Sequence, residues 1–309
     1  MGVVFRQNGW GAGAAARHTM TPAAMVLGNE RGNKMPELPE VEVCRRGLHP
    51  RLVGRRIRRA TIRFWQLRSD IPANLPDRLA DAEIAALERR GKYLLFDCRR
   101  SGVRGWLIVH LGMTGSLRLL GPDVPAGLHD HVDLELDGAV LRYHDPRRFG
   151  LMAWHEGEDP GSDPLLASLG IEPLGEAFDG AWLHAATRGR RGPIKSFLMD
   201  AHQVVGVGNI YAAESLFRAG IRPDRAAGKL GRDACRRLAE AVRQTLNEAI
   251  AAGGSSIRDY VHHDGGTGWF QIACAVYGRA GESCRRCGGT VGRLRQGGRT
   301  TFFCPGCQR

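Results

Sequence analysis

Met35-Pro36-Glu37 sets two chemically useful groups side by side near the start of the chain. If translation begins at Met35 and that methionine is removed, Pro36 carries a free secondary amine. Such an amine is a nucleophile for a sugar or carbonyl carbon, and Glu37 is a ready proton carrier. The plainer alternative is a turn leading into a helix. Pro39 suits a first helical position, and Glu40 and Glu42 suit the positive end of the helix dipole. That alternative leaves Pro36 and Glu37 unexplained.

The strongest spacing signal lies at the other end. Cys284-x-x-Cys287, sixteen residues, then Cys304-x-x-Cys307 gives two tight knuckles that together grip one tetrahedral ion. Iron–sulfur and redox readings need other spacings or another context. One structural Zn²⁺ held by Cys284, Cys287, Cys304 and Cys307 is the expectation, with no open position for catalysis. The intervening segment has the length of a β-hairpin and carries Arg285, Arg286, Arg293, Arg295 and Arg299 around a Gln296-Gly297-Gly298 tip. A basic ribbon fixed by zinc suits a nucleic-acid groove; a solvated basic hairpin is the plainer alternative.

Three further stretches carry candidate chemistry. His202 to Tyr211 reads HQVVGVGNIY, with Gly206 and Gly208 before a helix whose free N–H groups suit a phosphate, and with Asn209 and Lys195 as added donors. Asp145-Pro-Arg-Arg-Phe-Gly150 and His110-Leu-Gly-Met-Thr-Gly115 place Met113, Arg147 and Phe149 where loop tips could wedge into a base stack. Met113 and Phe149 are equally ordinary core residues. Arg89-Arg90-Gly91-Lys92-Tyr93 offers Lys92 as a phosphate clamp or proton donor, or as a surface lysine. His129-Asp130-His131 has no further ligands to make a metal site, so phosphate contact or structural hydrogen bonding is expected there.

The elements that must position these residues fall into two textures. From Pro39 to about Leu52, Val41, Cys44 and Leu48 mark one face of a short helix. Tyr93–Cys98, Trp106–Leu120, Val132–Leu136, Val140–Tyr143 and Phe149–Trp154 read as strands, with Asp137-Gly138 as a two-residue hairpin turn. A Pro/Gly-rich passage around Asp159–Pro173 then leads to helices at Ile194–Asp200, Asn209–Ala219 with Asn209 as N-cap, and Asp233–Ala252. The expected class is α+β: an antiparallel β-sandwich with an N-terminal helix over 35–165, a helical domain over 166–275, and a zinc-finger hairpin over 276–309. Residues 1–34 show no period and are expected to be disordered or untranslated.

The totals agree. The 309 residues carry 44 Lys+Arg against 32 Asp+Glu, a formal charge of +12, which calls for a polyanion. No apolar run approaches the roughly 20 residues that span a membrane. Four of the eight cysteines are scattered and four are clustered, which argues against a secreted disulfide framework and for a reduced, cytoplasmic setting.

MPELPEVE, RRGKYLLF, HLGMTGSLR, HDHVDL, DPRRFG, VVGVGNIYAAESLF, VYGR and the terminal cysteine motif together resemble the bacterial formamidopyrimidine-DNA glycosylases, in order, from Met35 to the end. Endonuclease VIII relatives typically open with Pro-Glu-Gly-Pro instead. The resemblance implies a helix–two-turns–helix and a monomeric, nucleoid-associated repair enzyme that excises oxidised purines from duplex DNA and then nicks the strand. It makes Pro36 the Schiff-base nucleophile and Glu37 the proton shuttle. Lys92 falls at the position assigned to β-elimination and Arg299 at that assigned to δ-elimination. His129, Arg147 and Arg190 fall at DNA-contact positions. Met113, Arg147 and Phe149 match residues that fill the gap beside a flipped nucleotide, and Lys195 and Asn209 match phosphate-binding positions. Ser255–Phe270 corresponds to the loop that covers the lesion. An endonuclease VIII-like enzyme for oxidised pyrimidines and a non-catalytic damage sensor are the competing readings. The second requires that Pro36 stay buried in a longer chain, where its nitrogen is an amide.

Overall fold

The first helix shows how this chain couples local signals to distant partners. α1 (Leu38–Leu52) buries Leu38, Val41, Cys44, Leu48 and Leu52 along one side. The backbone N–H of Glu37 donates to the Glu40 carboxylate at 2.9 Å, which satisfies one of the donors that a helix start leaves free. The N–H of Leu38 donates to the carbonyl of Gly206, far along the sequence, at 3.1 Å. The computed structural model describes residues 1–2, 36–253 and 274–309. The expectations for residues 1–34 and for the Ser255–Phe270 loop therefore lie outside the described residues.

Eight antiparallel strands follow: β1 (Arg56–Ile62), β2 (Ala82–Arg90), β3 (Tyr93–Arg100), β4 (Val103–His110), β5 (Ser116–Leu120), β6 (Asp130–Leu136), β7 (Ala139–His144) and β8 (Leu151–Glu156). The short α2 (Leu75–Leu79) lies between β1 and β2. Their order is β5-β7-β6-β1-β2-β3-β4-β8, one continuous sheet. β1 and β2 pair only through Arg56↔Glu83 and Ile57↔Ala82, a narrow junction between two wider halves. Leu94, Phe96 and Leu107 from one half share an apolar cluster with Val132, Leu134 and Tyr143 from the other and with α1. The expected sandwich is thus a single sheet folded on itself. Gly138 has φ +72, as the predicted tight turn between β6 and β7 requires.

The helices are α3 (Pro164–Ala167), α4 (Gly180–Thr187), α5 (Ile194–Met199), α6 (Asn209–Ala219) and α7 (Arg232–Ala251). α4, α6 and α7 share a second apolar cluster that includes Leu183, Leu216, Leu238 and Val242. Gly208, not Asn209, occupies the cap of α6; Asn209 is its first helical residue. α6 stops at Gly220 in the left-handed region, φ +71, where glycine carries no Cβ penalty. A final hairpin pairs β9 (Gly292–Gln296) with β10 (Arg299–Phe303). Its Gly297-Gly298 tip has φ +52 and +76, the two positive values of a tight hairpin turn. No helix among the described residues is long and apolar enough to cross a membrane.

Candidate active site and nucleic-acid interface

Glu37 is 3% exposed, and its carboxylate lies at the start of α6. It accepts from the backbone N–H of Gly208 at 2.8 Å, Ile210 at 3.0 Å and Tyr211 at 3.4 Å. This corrects the expectation that this helix start presents free donors to a phosphate: these three N–H groups hold the acid. The glycines are needed for the same reason. A Cβ on Gly208 would lie 2.2 Å from the carboxyl carbon of Glu37, and one on Gly206 would lie 2.7 Å from Leu38 Cδ1. Glu40 completes the arrangement by accepting from Tyr211 OH at 2.6 Å.

Helix-start donors alone would stabilise the carboxylate. Burial outweighs them, so the Glu37 carboxyl is pushed above the usual range, and the neighbouring Glu40 adds to the push while Lys92 opposes it. Lys92 is half-buried in the β2–β3 turn. Burial lowers its pKa, the attraction of Glu37 resists, and the Arg299 charge lowers it further. Pro36, adjoining Glu37, is half-buried as well. Pro36, Glu37, Lys92 and Arg299 are therefore gathered in one place, from α1, the β2–β3 turn and the terminal hairpin.

The turn that carries Lys92 is pinned from behind. Glu172 accepts from the N–H of Gly91 at 2.6 Å and from Arg89 at 3.1 Å, while Arg89 also reaches Glu42 of α1 at 3.1 Å. Gly91 has φ +57, and a Cβ there would meet Val205 Cγ2 at 2.2 Å. The loop before α6 thus touches the Lys92 turn, Leu38 and Glu37 together. Arg89 and Arg90 belong to this internal brace, since Arg90 donates to the carbonyls of Leu169 and Gly170.

Lys195, 2% exposed, points its ammonium at Asn209 Oδ1 (2.5 Å) and Thr301 Oγ1 (2.6 Å). Two of its three protons are used by these contacts. Burial brings its pKa down to about 8, Arg299 adding to the effect and Glu37 opposing it. Asn209 Nδ2 donates to the carbonyl of Thr300 at 3.1 Å, so both residues fasten the terminal hairpin to the helices.

A second group surrounds Asp145. Arg147 and Phe149 are exposed, with the guanidinium 4.7 Å from the ring centre, and Met113 is half-buried. Phe149 at 44% exposure is no core residue. His129 is half-buried with its ring 5.9 Å from that of His144. Asp130 accepts from His144 Nδ1 and His131 Nε2 donates to the Asp145 carbonyl, both at 2.8 Å, so this run is hydrogen-bonded structure. Arg190 is exposed on the connection between α4 and α5, with its guanidinium 3.5 Å from Gln203 Oε1 in the loop before α6.

The cysteine site can be tested by geometry. A zinc–sulfur bond of about 2.3 Å puts the corners of a tetrahedron roughly 3.8 Å apart. Cys284 and Cys307 are separated by 3.9 Å and Cys287 and Cys304 by 3.5 Å, with all four sulfurs within 4.8 Å of one another. The set fits one zinc ion, which when bound holds the hairpin and leaves no position for substrate.

Sequence reasoning missed what Glu40, Glu172, Thr301 and Asp145 do. Their types carry no chemical signature; only their place inside the fold reveals what they hold.

A folded-over antiparallel sheet, a helix start that houses an acid, and a basic cysteine hairpin fastened to that helix start define a DNA-processing enzyme. Residues 35–152 match the formamidopyrimidine-DNA glycosylase N-terminal domain, 169–261 the formamidopyrimidine-DNA glycosylase H2TH domain, and 281–309 the zinc finger found in FPG and IleRS. Formamidopyrimidine-DNA glycosylases of Dechloromonas aromatica and Ralstonia pickettii are 56% and 55% identical, each matched over its whole length by 89% of this chain. The MutM (Fpg) protein of Thermus thermophilus superimposes with a TM-score of 0.77 at 40% identity, covering 88% of this chain and 98% of that one. Lactococcus lactis Fpg in complex with DNA containing N7-benzyl-Fapy-dG gives 0.81 at 35%, covering 89% and 100%. The chain belongs to the formamidopyrimidine-DNA glycosylase family. It is a DNA-repair glycosylase whose partner is DNA and whose finger takes one zinc.

Proposed function

We propose that this glycosylase excises oxidised purines, 8-oxoguanine and ring-opened purines, through a Schiff base at Pro36 and then nicks the strand by β,δ-elimination. The observation that carries this reading is the seat of Glu37: a buried acid with a raised pKa, adjoining Pro36. In the reaction the Pro36 nitrogen bonds to C1′ as the bond from C1′ to the base breaks, and the proton shed by that nitrogen passes to the departing base. Glu37 gives its proton to the ring oxygen, opening the sugar and leaving an iminium. Loss of the C2′ proton then expels the 3′ phosphate, with Lys92 moving protons, and a second elimination with Arg299 expels the 5′ phosphate. Met113, Arg147 and Phe149 fill the gap left by the flipped nucleotide, and His129, Arg190, Lys195 and Asn209 hold the backbone.

An amine near pKa 8 is partly free at neutral pH, where a lysine near 10.4 is almost wholly charged, as orders of magnitude. The amine exists only if the chain begins at Pro36, and a family-model match that begins at residue 35 supports that start. Borohydride trapping on an 8-oxoguanine:cytosine duplex, with the full chain and with a form starting at Met35, tests the reading. The expected result is a covalent adduct at Pro36 in the shorter form only. Tight binding with no adduct in either form would overturn it in favour of a sensor. Glu37→Gln should lower excision by about 100-fold or more, the scale of lost general acid–base catalysis. Lactococcus lactis Fpg has been crystallised with DNA containing an oxidized pyrimidine, so a thymine glycol duplex belongs in the same assay. Faster trapping on that duplex would favour the pyrimidine reading.

A further inference from the structure

We propose that Asp145 is the positioning residue for base extrusion, the knot that makes the Met113 loop and the Arg147–Phe149 loop move as one wedge. This rests on the gap-filling role given above to those three residues. Asp145 is 0% exposed, and its carboxylate is fully occupied. One oxygen accepts from the Thr114 hydroxyl. The other accepts from Tyr143 OH at 3.0 Å and the N–H of Gly150 at 2.9 Å. Its backbone is used as fully. The N–H donates to the carbonyl of His129 at 3.0 Å, and the carbonyl accepts from the N–H of Arg148 at 3.2 Å and from His131 Nε2.

Thr114 closes the circuit, because its hydroxyl oxygen accepts from the N–H of Arg147 at 3.2 Å while its proton goes to Asp145. Met113 and Arg147 are therefore one residue and one hydrogen bond apart. The backbones also interlock: a Cβ on Gly112 would lie 2.3 Å from the carbonyl carbon of Phe149, and one on Gly150 would lie 1.7 Å from Tyr143 Oη. Arg148 sits in the left-handed region at φ +56, a conformation that is strained for a side-chain-bearing residue. Its guanidinium lies 4.5 Å over the Phe64 ring, so the turn is clamped from both sides. A strained turn, clamped twice and tied to a buried carboxylate, keeps Arg147 and Phe149 projecting.

A wedge matters only when a base must leave a stack, because unstacking has to be offset by something that fills the gap. Disturbing Asp145 should thus slow reaction on a stacked lesion and spare reaction on a strand with nothing to extrude. The experiment compares borohydride trapping rates on an 8-oxoguanine:cytosine duplex and on a single-stranded abasic oligonucleotide. It uses the form starting at Met35 and its Asp145→Asn and Thr114→Val variants. Thr114→Val keeps the side-chain shape and serves if Asp145→Asn folds poorly, with thermal melting as the check. The expected result for Asp145→Asn and Thr114→Val is a duplex rate lower by about tenfold or more, the scale of a small misplacement near the chemistry, with the single-strand rate within about threefold. Equal loss on both substrates, or an unchanged duplex rate in Thr114→Val, would overturn the proposal. Failure of the parent form to trap the abasic strand would instead count against the Schiff-base reading.

Discussion

Lys195 is a cation kept where a cation is poorly solvated, and its behaviour with pH follows from that. Its pKa of about 8 lies below the ordinary lysine range because burial disfavours the charge. At neutral pH it is mostly charged; if it holds the DNA backbone as proposed above, its attraction for a phosphate should fade as pH rises through about 8. Lys195→Met should weaken binding to a lesion duplex by about tenfold at pH 7, the scale of one charge-assisted hydrogen bond. The gap to the parent protein should close by pH 9. Fluorescence anisotropy titrations at several pH values check this, and a gap of constant size would mean that Lys195 acts only through packing. The sign for stability is opposite. Between about 8 and 10.4 the unfolded chain holds a proton that the folded one has shed, so this group favours folding as pH rises across that window.

At the scale of elements, the terminal hairpin is the part most dependent on something other than packing. β9 and β10 are short, and they reach the active site through Thr300, Thr301 and Arg299. Structural zinc contributes on the order of 10 kcal/mol to the folding of such a finger. Removal of zinc with a chelator should expose 281–309 to limited proteolysis and abolish strand nicking. The sheet's apolar cluster, which contains no cysteine of the finger, should keep its melting transition. The same hairpin was legible in the sequence, because cysteine spacing states a geometry outright. α6 and α7 were legible too, since apolar residues at helical spacing survive any charged surface. β1 was not. Its RIRRATI run buries only Ile57 and Ala60 and hides its alternation behind arginines. The loop before α6 was recognised as important but given the wrong occupant. A glycine-rich helix start reads the same whether the anion is a phosphate or a carboxylate arriving from Glu37. Long-range partners of that kind leave no mark at the position where they bind.

At the scale of the whole molecule, the +12 charge sets how binding responds to salt. If Arg147, Arg190, Lys195 and Arg299 each displace a counterion, the logarithm of affinity should fall against the logarithm of salt with a slope of about −3 to −4. Arg190→Ala, at an exposed position, should make the slope shallower by about 1 without changing the trapping rate at saturation. A slope near zero would mean that the charge is spread over surfaces the DNA never touches. The anchoring of Glu37 by Gly208, 171 residues further along, reaches beyond binding. A ribosome delivers the amine end first, while the housing for its acid is still unmade. Until α6 has been synthesised and docked, the half-finished chain has no organised seat for Glu37, and in the mechanism proposed above it would hold Pro36 without its proton source. In that mechanism cutting competence arrives late in the life of each copy, and a chain that stops before α6, though it carries Pro36 and Glu37, lacks the seat its acid needs.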